Sequence, residues 1–403
     1  MLLILILLLL TRQVAVGEDW PQFLGPERNG SYSGPLAATW PKSGPAVLWE
    51  VDVGHGFSAP VVARGRVILF HRRENQAIVE SLEAGTGKRL WSSAYTTDYR
   101  DDFGFDEGPR GAPAVAGERI YTFGADGVLQ ALDFSTGKRV WSVDTRQKFG
   151  APKGFFGAAC SPLVDDGRVL MNIGGPNGAG IGAFDAATGK VLWTATSDEA
   201  GYSAPVVATI AGVRHALFWT RAGLVDADPA TGKVRFQFPW RSRSHASVNA
   251  AAPVVVGNLV FLSASYGTGA TLLQIDGASV KQLWASDEAL SNHYATSVYR
   301  DGYVYGYHGR QEFGQSLRAI ELKTGKVQWN IDGFGAGTVT LAGDRLLLIR
   351  ENGELIVAAV SPKEFRPIAQ TQLLPAVVRS YPALADGRLY VRNERTLACF
   401  KMK

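Results

Sequence analysis

The chain has 403 residues, of which 19% are charged, and a formal net charge of +4 at pH 7. This balance is too small to favour nucleic acid or an anionic membrane surface as the partner. The 46 glycines, 19 prolines and 10 tryptophans suit many short strands joined by tight turns, which excludes a coiled coil or a disordered chain.

The first 17 residues predict a signal peptide. An apolar run from Leu2 to Leu10 is followed by the small residues Ala15 and Gly17, a pattern typical of cleavage before Glu18. The run is shorter than the roughly 20 apolar residues that a membrane-spanning helix needs, so an uncleaved anchor is the weaker alternative. We therefore expect a secreted or periplasmic protein with no transmembrane span after cleavage.

A repeat of about 45 residues runs through the rest of the chain. Each copy contains a proline, apolar stretches separated by glycine, and a pattern close to Asp-x-x-Thr-Gly-Lys-x-x-Trp. The copies end near Trp91, Trp141, Trp193, Phe236, Trp284 and Trp329. The alternating apolar stretches predict half-buried strands, and triplets such as Ala-Asp-Gly and Thr-Gly-Lys predict tight turns between them. Together they give four short strands per copy. We expect the repeated tryptophan to pack between neighbouring sheets rather than to contact a cofactor.

Two further copies complete the predicted architecture. The seventh extends from about Gly337 to Gln370, and the eighth begins at Pro382 and stops at the C-terminus without its last strand. The missing strand lies at the other end of the chain, around Trp49. The sequence therefore predicts an all-β, eight-bladed β-propeller of four-stranded antiparallel blades, with the last blade closed by the N-terminal strand. Residues 18–45 form an N-terminal segment in this prediction, and residues 46–403 form the propeller.

The repeat resembles that of quinoprotein dehydrogenases and of the BamB outer-membrane assembly lipoproteins. The stretches DWPQFLGPERNG, from Asp19 to Gly30, and TWPKSGPAVLWE, from Thr39 to Glu50, are similar to the N-terminal segments of secreted bacterial quinoprotein-like propellers. The resemblance covers nearly the whole mature chain and implies the eight-bladed fold. It leaves two functions open: a non-enzymatic binding or assembly scaffold for a protein or polysaccharide partner, and a PQQ/Ca²⁺-dependent alcohol or sugar dehydrogenase.

The chemistry implied by the dehydrogenase resemblance is not visible in the sequence. Quinoprotein alcohol dehydrogenases have adjacent cysteines at the cofactor, whereas Cys160 and Cys399 are far apart, and we expect both to be buried free thiols. The acidic stretch 98–107 contains four candidate ligands for a hard cation, although a solvated acidic loop is the simpler interpretation; they are Asp101, Asp102, Asp106 and Glu107. The six histidines lack metal-ligand spacing, so we predict no metal site and expect no cofactor.

The residues that precede the innermost strand of each copy form the predicted ligand site. These strands begin near the repeated prolines and line the channel, so the residues before them surround one mouth. The candidates are His55, Phe57, Arg110, Phe156, Tyr202, Asn249, His293, Tyr294, Arg379 and Tyr381. This mixture favours an anionic or glycan-like ligand or an extended peptide, with Arg110, His293, Tyr294 and Arg379 as the strongest candidates. The alternative is that these side chains satisfy only local backbone groups and neighbouring acids. We expect a monomer that binds its partner through the mouth or the edge loops.

Overall fold

The structure, a computed structural model, describes residues 18–37, 40–41, 43–242, 244 and 249–403. The predicted signal peptide lies outside the described residues. The described chain forms eight sheets, one short helix, α1 (Thr145–Phe149), and one 3₁₀ turn (Gln311–Phe313). None of its helices has the length and hydropathy needed to cross a bilayer.

The first four blades follow the N-terminal segment in chain order. That segment contributes β1 (Ser31–Tyr32) and β2 (Val47–Asp52). Blade 1 consists of β3 (Val61–Ala63), β4 (Arg66–Arg73), β5 (Gln76–Glu83) and β6 (Arg89–Thr96). Blade 2 consists of β7 (Ala114–Ala116), β8 (Arg119–Phe123), β9 (Val128–Asp133) and β10 (Arg139–Asp144). Blade 3 consists of β11 (Leu163–Asp165), β12 (Arg168–Gly175), β13 (Ala179–Asp185) and β14 (Val191–Ala195), and blade 4 of β15 (Val206–Ile210), β16 (Val213–Trp219), β17 (Gly223–Ala227) and β18 (Val234–Pro239).

The remaining blades use the second half of the chain. Blade 5 consists of β19 (Val254–Val256), β20 (Leu259–Ala264), β21 (Gly269–Asp276) and β22 (Ser279–Ser286). Blade 6 consists of β23 (Val298–Arg300), β24 (Tyr303–His308), β25 (Ser316–Glu321) and β26 (Val327–Ile331). Blade 7 consists of β27 (Gly337–Ala342), β28 (Arg345–Arg350), β29 (Glu354–Ala359) and β30 (Arg366–Gln372), and blade 8 of β31 (Ala383–Ala385), β32 (Arg388–Arg392), β33 (Thr396–Lys401) and β2.

The two ends of the chain meet in blade 8. Strand β2 pairs antiparallel with β33, which places Trp49 opposite Cys399 and Val51 opposite Leu397. The innermost strand of blade 8, β31, also contacts β3 of blade 1. The predicted eight-bladed propeller, closed by the N-terminal strand, is thereby confirmed.

The repeated tryptophan joins each blade to the next. Trp49 Nε1 donates to the Ala84 carbonyl oxygen of blade 1 at 3.0 Å, and its ring lies over Gly87 of the Thr-Gly-Lys turn. A Cβ on Gly87 would lie 2.8 Å from that ring, and the residue has φ +73°. Both the close approach of the ring and the positive φ angle therefore require glycine. The equivalent indole bonds run from Trp91 to Phe134, Trp141 to Ala186, Trp193 to Pro229, Trp284 to Leu322 and Trp329 to Ser361.

The degraded copies of the repeat are explained by this contact. Blade 4 has Phe236 and blade 7 has Ala369 at the tryptophan position. Blade 5, which follows blade 4, has the turn 276–279 in place of Thr-Gly-Lys. Blade 8, which follows blade 7, has no turn at this place, because its third and fourth strands, β33 and β2, are not consecutive in the chain. Within the described chain, the glycine of every Thr-Gly-Lys turn is covered by a tryptophan of the preceding blade. The repeat signature is therefore the two halves of an interface between blades.

The N-terminal segment lies across the channel, a feature that the repeat did not predict. Trp20 pairs with Val62 of blade 1, and the Gly30 carbonyl oxygen accepts from the Leu341 amide of blade 7 at 2.8 Å. Between them, Leu24 is buried in a cluster that contains residues of blades 1, 4 and 5. Strand β1 then pairs in parallel with β27, so blade 7 has five strands instead of four. The segment thereby closes the channel near the C-terminal ends of the innermost strands.

Candidate binding site at the channel mouth

A cavity of about 260 Å³ lies where the innermost strands begin, and we call it the mouth cavity. Its walls are largely aromatic. The lining residues are Phe23, Phe57, Ala59, Phe105, Arg110, Phe156, Ala159, Ser161, Tyr202, Ala204, Ala250, Tyr266, His293, Tyr294, Gln311, Glu312, Arg379 and Tyr381. Phe23 of the N-terminal segment packs edge-on against Tyr381, with 5.2 Å between the ring centroids. Residues from seven of the eight blades or their preceding loops, together with the N-terminal segment, therefore meet in one cavity.

Most of the predicted rim residues lie around this cavity. The lining includes Phe57, Arg110, Phe156, Tyr202, His293, Tyr294, Arg379 and Tyr381. They come together because each precedes an innermost strand, and those strands converge on the common axis. Their convergence is a geometric finding, and a ligand-binding role for them remains a prediction.

Two predicted rim residues lie elsewhere. His55 lines a separate polar cleft with Arg72 and Glu394, and its Nδ1 atom is 3.6 Å from Asp106 Oδ2. Asn249 is buried, and its Nδ2 donates to the Thr220 carbonyl oxygen at 2.8 Å. Asn249 therefore fastens neighbouring loops, which is the structural alternative considered for such residues.

The sequence prediction missed four residues from loops over the cavity. Phe105 belongs to the acidic stretch 98–107, and Tyr266 lies in the turn between β20 and β21. Gln311 and Glu312 belong to the 3₁₀ turn between β24 and β25. The unusual length of the 309–315 connection was the available signal, because the other connections between the second and third strands of a blade have two to four residues.

The two cavity arginines are held in different ways. Arg110 donates from Nη1 to the Gly108 carbonyl oxygen at 3.2 Å and from Nη2 to the Asp106 carbonyl oxygen at 3.0 Å. Its Nη2 atom also lies 3.6 Å from the buried Asp101 carboxylate. Among the residues that the structure describes, Arg379 makes one hydrogen bond, from Nε to Glu351 Oε1 at 2.8 Å. Both guanidinium groups lie near the Phe57 ring, at 5.7 Å and 5.3 Å from its centroid.

Glu351 organises the side of the cavity next to Arg379. Its Oε1 atom also accepts from Tyr294 Oη at 2.8 Å, and Oε2 accepts from Gln311 Nε2 at 2.9 Å. Burial, reinforced by the Glu351 carboxylate, raises the pKa of Tyr294 well above its ordinary value. Tyr294 therefore stays a hydrogen-bond donor, and Glu351 is a carboxylate with three donors around it.

His293 is a neutral wall of the cavity rather than a free base. Its Nδ1 accepts from the Gln311 amide at 3.3 Å, and its Nε2 lies 3.0 Å from Tyr266 Oη. Burial lowers the pKa of His293, Glu312 opposes this shift, and Arg310 and Arg379 add to it. The neutral imidazole is thus the form that this environment favours.

Four phenylalanines continue the cavity onto the surface, and we call them the aromatic collar. They are Phe103, Phe105, Phe155 and Phe156. Phe103 and Phe156 have ring centroids 5.3 Å apart, and Phe105 lies 5.9 Å from Phe156. Phe103 and Phe105 are each 53% exposed. Exposed aromatic side chains gathered beside a cavity are typical of surfaces that bind partners.

The carboxylates of the acidic stretch are engaged by neighbouring groups of the protein. Asp101 accepts from the Phe105 amide at 2.6 Å and Asp106 from the Gly108 amide at 2.5 Å. Asp102 pairs with Lys153, and Glu107 with Arg100. The solvated-loop interpretation is therefore wrong for Asp101 and Asp106, whose side chains are buried.

The described residues do not bring together a donor set for a divalent cation. Nowhere among them do three His, Cys, Asp or Glu side chains meet at metal-binding distance. The single carboxylate that lines the mouth cavity, Glu312, is paired with Arg310 at 3.0 Å. This lining does not fit the Ca²⁺ site that a quinone cofactor would require. Cys160 and Cys399 are buried free thiols, as predicted.

Comparisons with known proteins point to two groups. The family model described as outer membrane protein assembly factor BamB matches residues 75–331, more than half of the chain. BamB of Yersinia pestis is 23% identical over 293 residues, which cover 69% of this chain and 72% of that protein. The dehydrogenase subunit of alcohol dehydrogenase (quinone) of Gluconacetobacter polyoxogenes is 34% identical over 153 residues, or 36% of this chain. The match spans only 20% of the length of that curated relative.

A solved structure shows the same fold. Quinohemoprotein alcohol dehydrogenase from Comamonas testosteroni superposes with a TM-score of 0.69 at 15% sequence identity. The superposition covers 95% of this chain and 80% of that one. At this identity the likeness concerns the propeller alone, since one fold carries many functions.

Proposed function

The chain belongs to the family of outer membrane protein assembly factor BamB, and from this premise we propose that it is a non-enzymatic, secreted or periplasmic binding scaffold. Its mouth cavity and aromatic collar receive an extended segment of a partner protein. The collar supplies apolar contacts, and the cavity takes a side chain or a chain end of the segment.

One observation carries this proposal: the mouth cavity is continuous with exposed aromatic rings. Phe105 and Phe156 belong both to the cavity lining and to the collar. A cavity of about 260 Å³ has room for a side chain or a few residues rather than for a folded domain. The polar lining groups are held in fixed positions by hydrogen bonds to one another and to neighbouring residues, which suits recognition of a bound segment.

A peptide selection tests the scaffold function. Randomised 12-residue peptides displayed on phage are selected against the wild-type protein, the mouth variant Phe103→Ser/Phe105→Ser, and the outer-edge variant Leu192→Ser/Leu283→Ser. We expect peptides enriched on the wild type to bind the mouth variant at least about 10-fold more weakly, because two exposed anchors are lost. The measurement is the dissociation constant of the purified peptides.

The outer-edge variant is the matched control. Leu192 and Leu283 are exposed to a similar degree as the collar phenylalanines, at 44% and 41%, but they lie on the outermost strands β14 and β22. Affinity should be unchanged in this variant. Peptides that bind all three proteins equally, or a selection that enriches none, would count against the proposal.

The second candidate is a quinone-dependent dehydrogenase, which the 34% identity to a quinone alcohol dehydrogenase over 153 residues favours. The lining of the mouth cavity does not provide the ligands for the Ca²⁺ ion that such an enzyme requires, because its carboxylate, Glu312, is paired with Arg310. We expect pyrroloquinoline quinone, added with Ca²⁺, to keep the absorbance spectrum of the free quinone, and the mixture to reduce no dye with alcohols or sugars. A saturable spectral shift accompanied by dye reduction would reverse this assignment.

A further inference from the structure

The geometry points to Arg379 as the group that recognises a carboxylate on the bound partner segment, and this inference rests on the proposed function. Within the described residues, the guanidinium of Arg379 makes one hydrogen bond, through Nε. Its Nη1 and Nη2 atoms have no partner there and are not buried. The free Nη edge is the part of a guanidinium that binds a carboxylate with two parallel hydrogen bonds.

The position of this Nη edge is fixed by side chains whose own hydrogen bonds are already made within the protein. Glu351 holds Arg379 Nε and is itself held by Tyr294 and Gln311. Because Glu351 accepts from three donors, it has little freedom to turn towards the Nη atoms. The arginine is thus oriented before a ligand arrives, which lowers the entropy cost of binding.

The surroundings of Arg379 strengthen an interaction with an anion. The guanidinium carbon lies 5.3 Å from the Phe57 ring centroid and 6.0 Å from that of Phe105. Its side chain is 23% exposed. Apolar rings displace water around the charge, and a charge-assisted hydrogen bond is stronger where water is excluded.

Arg110, in the same cavity, does not offer such an edge. Both of its Nη atoms donate to backbone carbonyl oxygens of its own loop, and Nη2 also faces Asp101. Arg110 therefore stabilises the 101–110 loop and forms part of the wall. Of the two cavity arginines, Arg379 is therefore the one that can recognise a carboxylate.

Three labelled peptides test the inference by fluorescence anisotropy. The first is Ser-Gly-Phe-Glu-Phe with an amidated C-terminus, the second is Ser-Gly-Phe-Gln-Phe with the same amide, and the third is Ser-Gly-Phe-Gln-Phe with a free C-terminal carboxylate. We expect at least one carboxylate peptide to bind the wild-type protein about 10-fold more tightly than the neutral peptide. The first and third peptides distinguish a side-chain carboxylate from a chain end.

The variants show which residue is responsible. Arg379→Gln should bind the charged and neutral peptides with equal affinity, and Arg379→Lys should recover only part of the selectivity because lysine lacks the planar fork. Arg300→Gln, which removes the same charge at an exposed ion pair outside the cavity, should keep the selectivity. Thermal unfolding of each variant verifies that it is folded.

Different results would overturn the carboxylate inference and the scaffold function. Equal affinity of the wild type for all three peptides, or selectivity that survives in Arg379→Gln, overturns the carboxylate inference and leaves the scaffold function standing. Absence of binding of every peptide up to about 1 mM overturns the scaffold function together with the inference.

Discussion

Replacing Trp49 by alanine is expected to lower the free energy of unfolding by about 3–5 kcal/mol and to accelerate unfolding. The side chain is buried, its ring packs 5.8 Å from Tyr390, and its indole donates to Ala84. Its loss removes apolar contact between β2 and the rest of blade 8 and leaves a cavity beside blade 1. Within blade 8, β2 is joined to β33 by strand pairing alone, and we call this junction the seam; closure of the ring depends there on non-covalent contacts. Equilibrium and kinetic unfolding in urea measure both effects.

Trp141→Ala is the control within the ring. Trp141 makes the same indole hydrogen bond, to Ala186 at 3.0 Å, but its strand β10 is connected to the neighbouring strand β9 by the turn 134–138, whereas β2 and β33 are joined by pairing alone. We expect a similar loss of equilibrium stability and a smaller increase in unfolding rate. Equal unfolding rates for the two variants would show that the seam is no weaker than the other junctions.

Two glycine substitutions separate the tryptophan contact from backbone strain. Gly87 and Gly65 both have φ +73°, but a Cβ on Gly87 would meet the Trp49 ring, whereas one on Gly65 would meet nothing within 4 Å. Gly65→Ala should therefore cost about 1 kcal/mol, and Gly87→Ala should cost clearly more. In the Trp49→Ala background this difference should shrink, because the ring that clashes is gone.

Asp226→Ala is expected to destabilise the protein by about 3 kcal/mol. Asp226 and His215 are fully buried in blade 4, with 2.7 Å between Asp226 Oδ2 and His215 Nδ1, and Arg235 lies 3.6 Å from Asp226 Oδ1. Alanine leaves the imidazole without its carboxylate partner and removes one of the two carboxylates beside the mostly buried Arg235 guanidinium, the other being Asp228 at 2.8 Å. Urea unfolding at pH 7 gives the difference in free energy.

The asparagine variant tests the origin of that cost. Burial raises the pKa of Asp226, and His215 and Arg235 oppose the shift. A folded-state pKa above the unfolded value means that this carboxyl contributes less to stability as the pH rises through that range. Asp226→Asn keeps an acceptor for His215 without a buried charge, so it should cost less than alanine. Asp344→Ala, at an exposed ion pair, should change stability little. A cost for Asp226→Ala no larger than that of Asp344→Ala would contradict the assignment.

The predicted site shows how far position in a repeat can be extrapolated. Phe57, Arg110, Tyr202, His293, Tyr294 and Arg379 reach the mouth cavity because they precede innermost strands that converge on one axis. His55 and Asn249 occupy similar places in the chain, but the His55 backbone pairs with Arg72 of β4 and the Asn249 side chain donates to the Thr220 carbonyl oxygen, and neither side chain lines the mouth cavity. A position before a strand therefore predicts the end of the channel and not the direction of the side chain.

The sequence by itself determined the number of blades, the closure of the last blade around Trp49, and the end of the channel at which most of the predicted rim residues gather, since these depend on repeat count and strand periodicity. Only the tertiary structure decided that a tryptophan of the preceding blade covers the glycine of each Thr-Gly-Lys turn, that residues 20–32 cross the channel, and that Arg379 keeps a free edge while Arg110 does not. The physical reason is that these features join residues far apart in the chain, and their contacts follow from three-dimensional packing and hydrogen-bond geometry rather than from any local pattern.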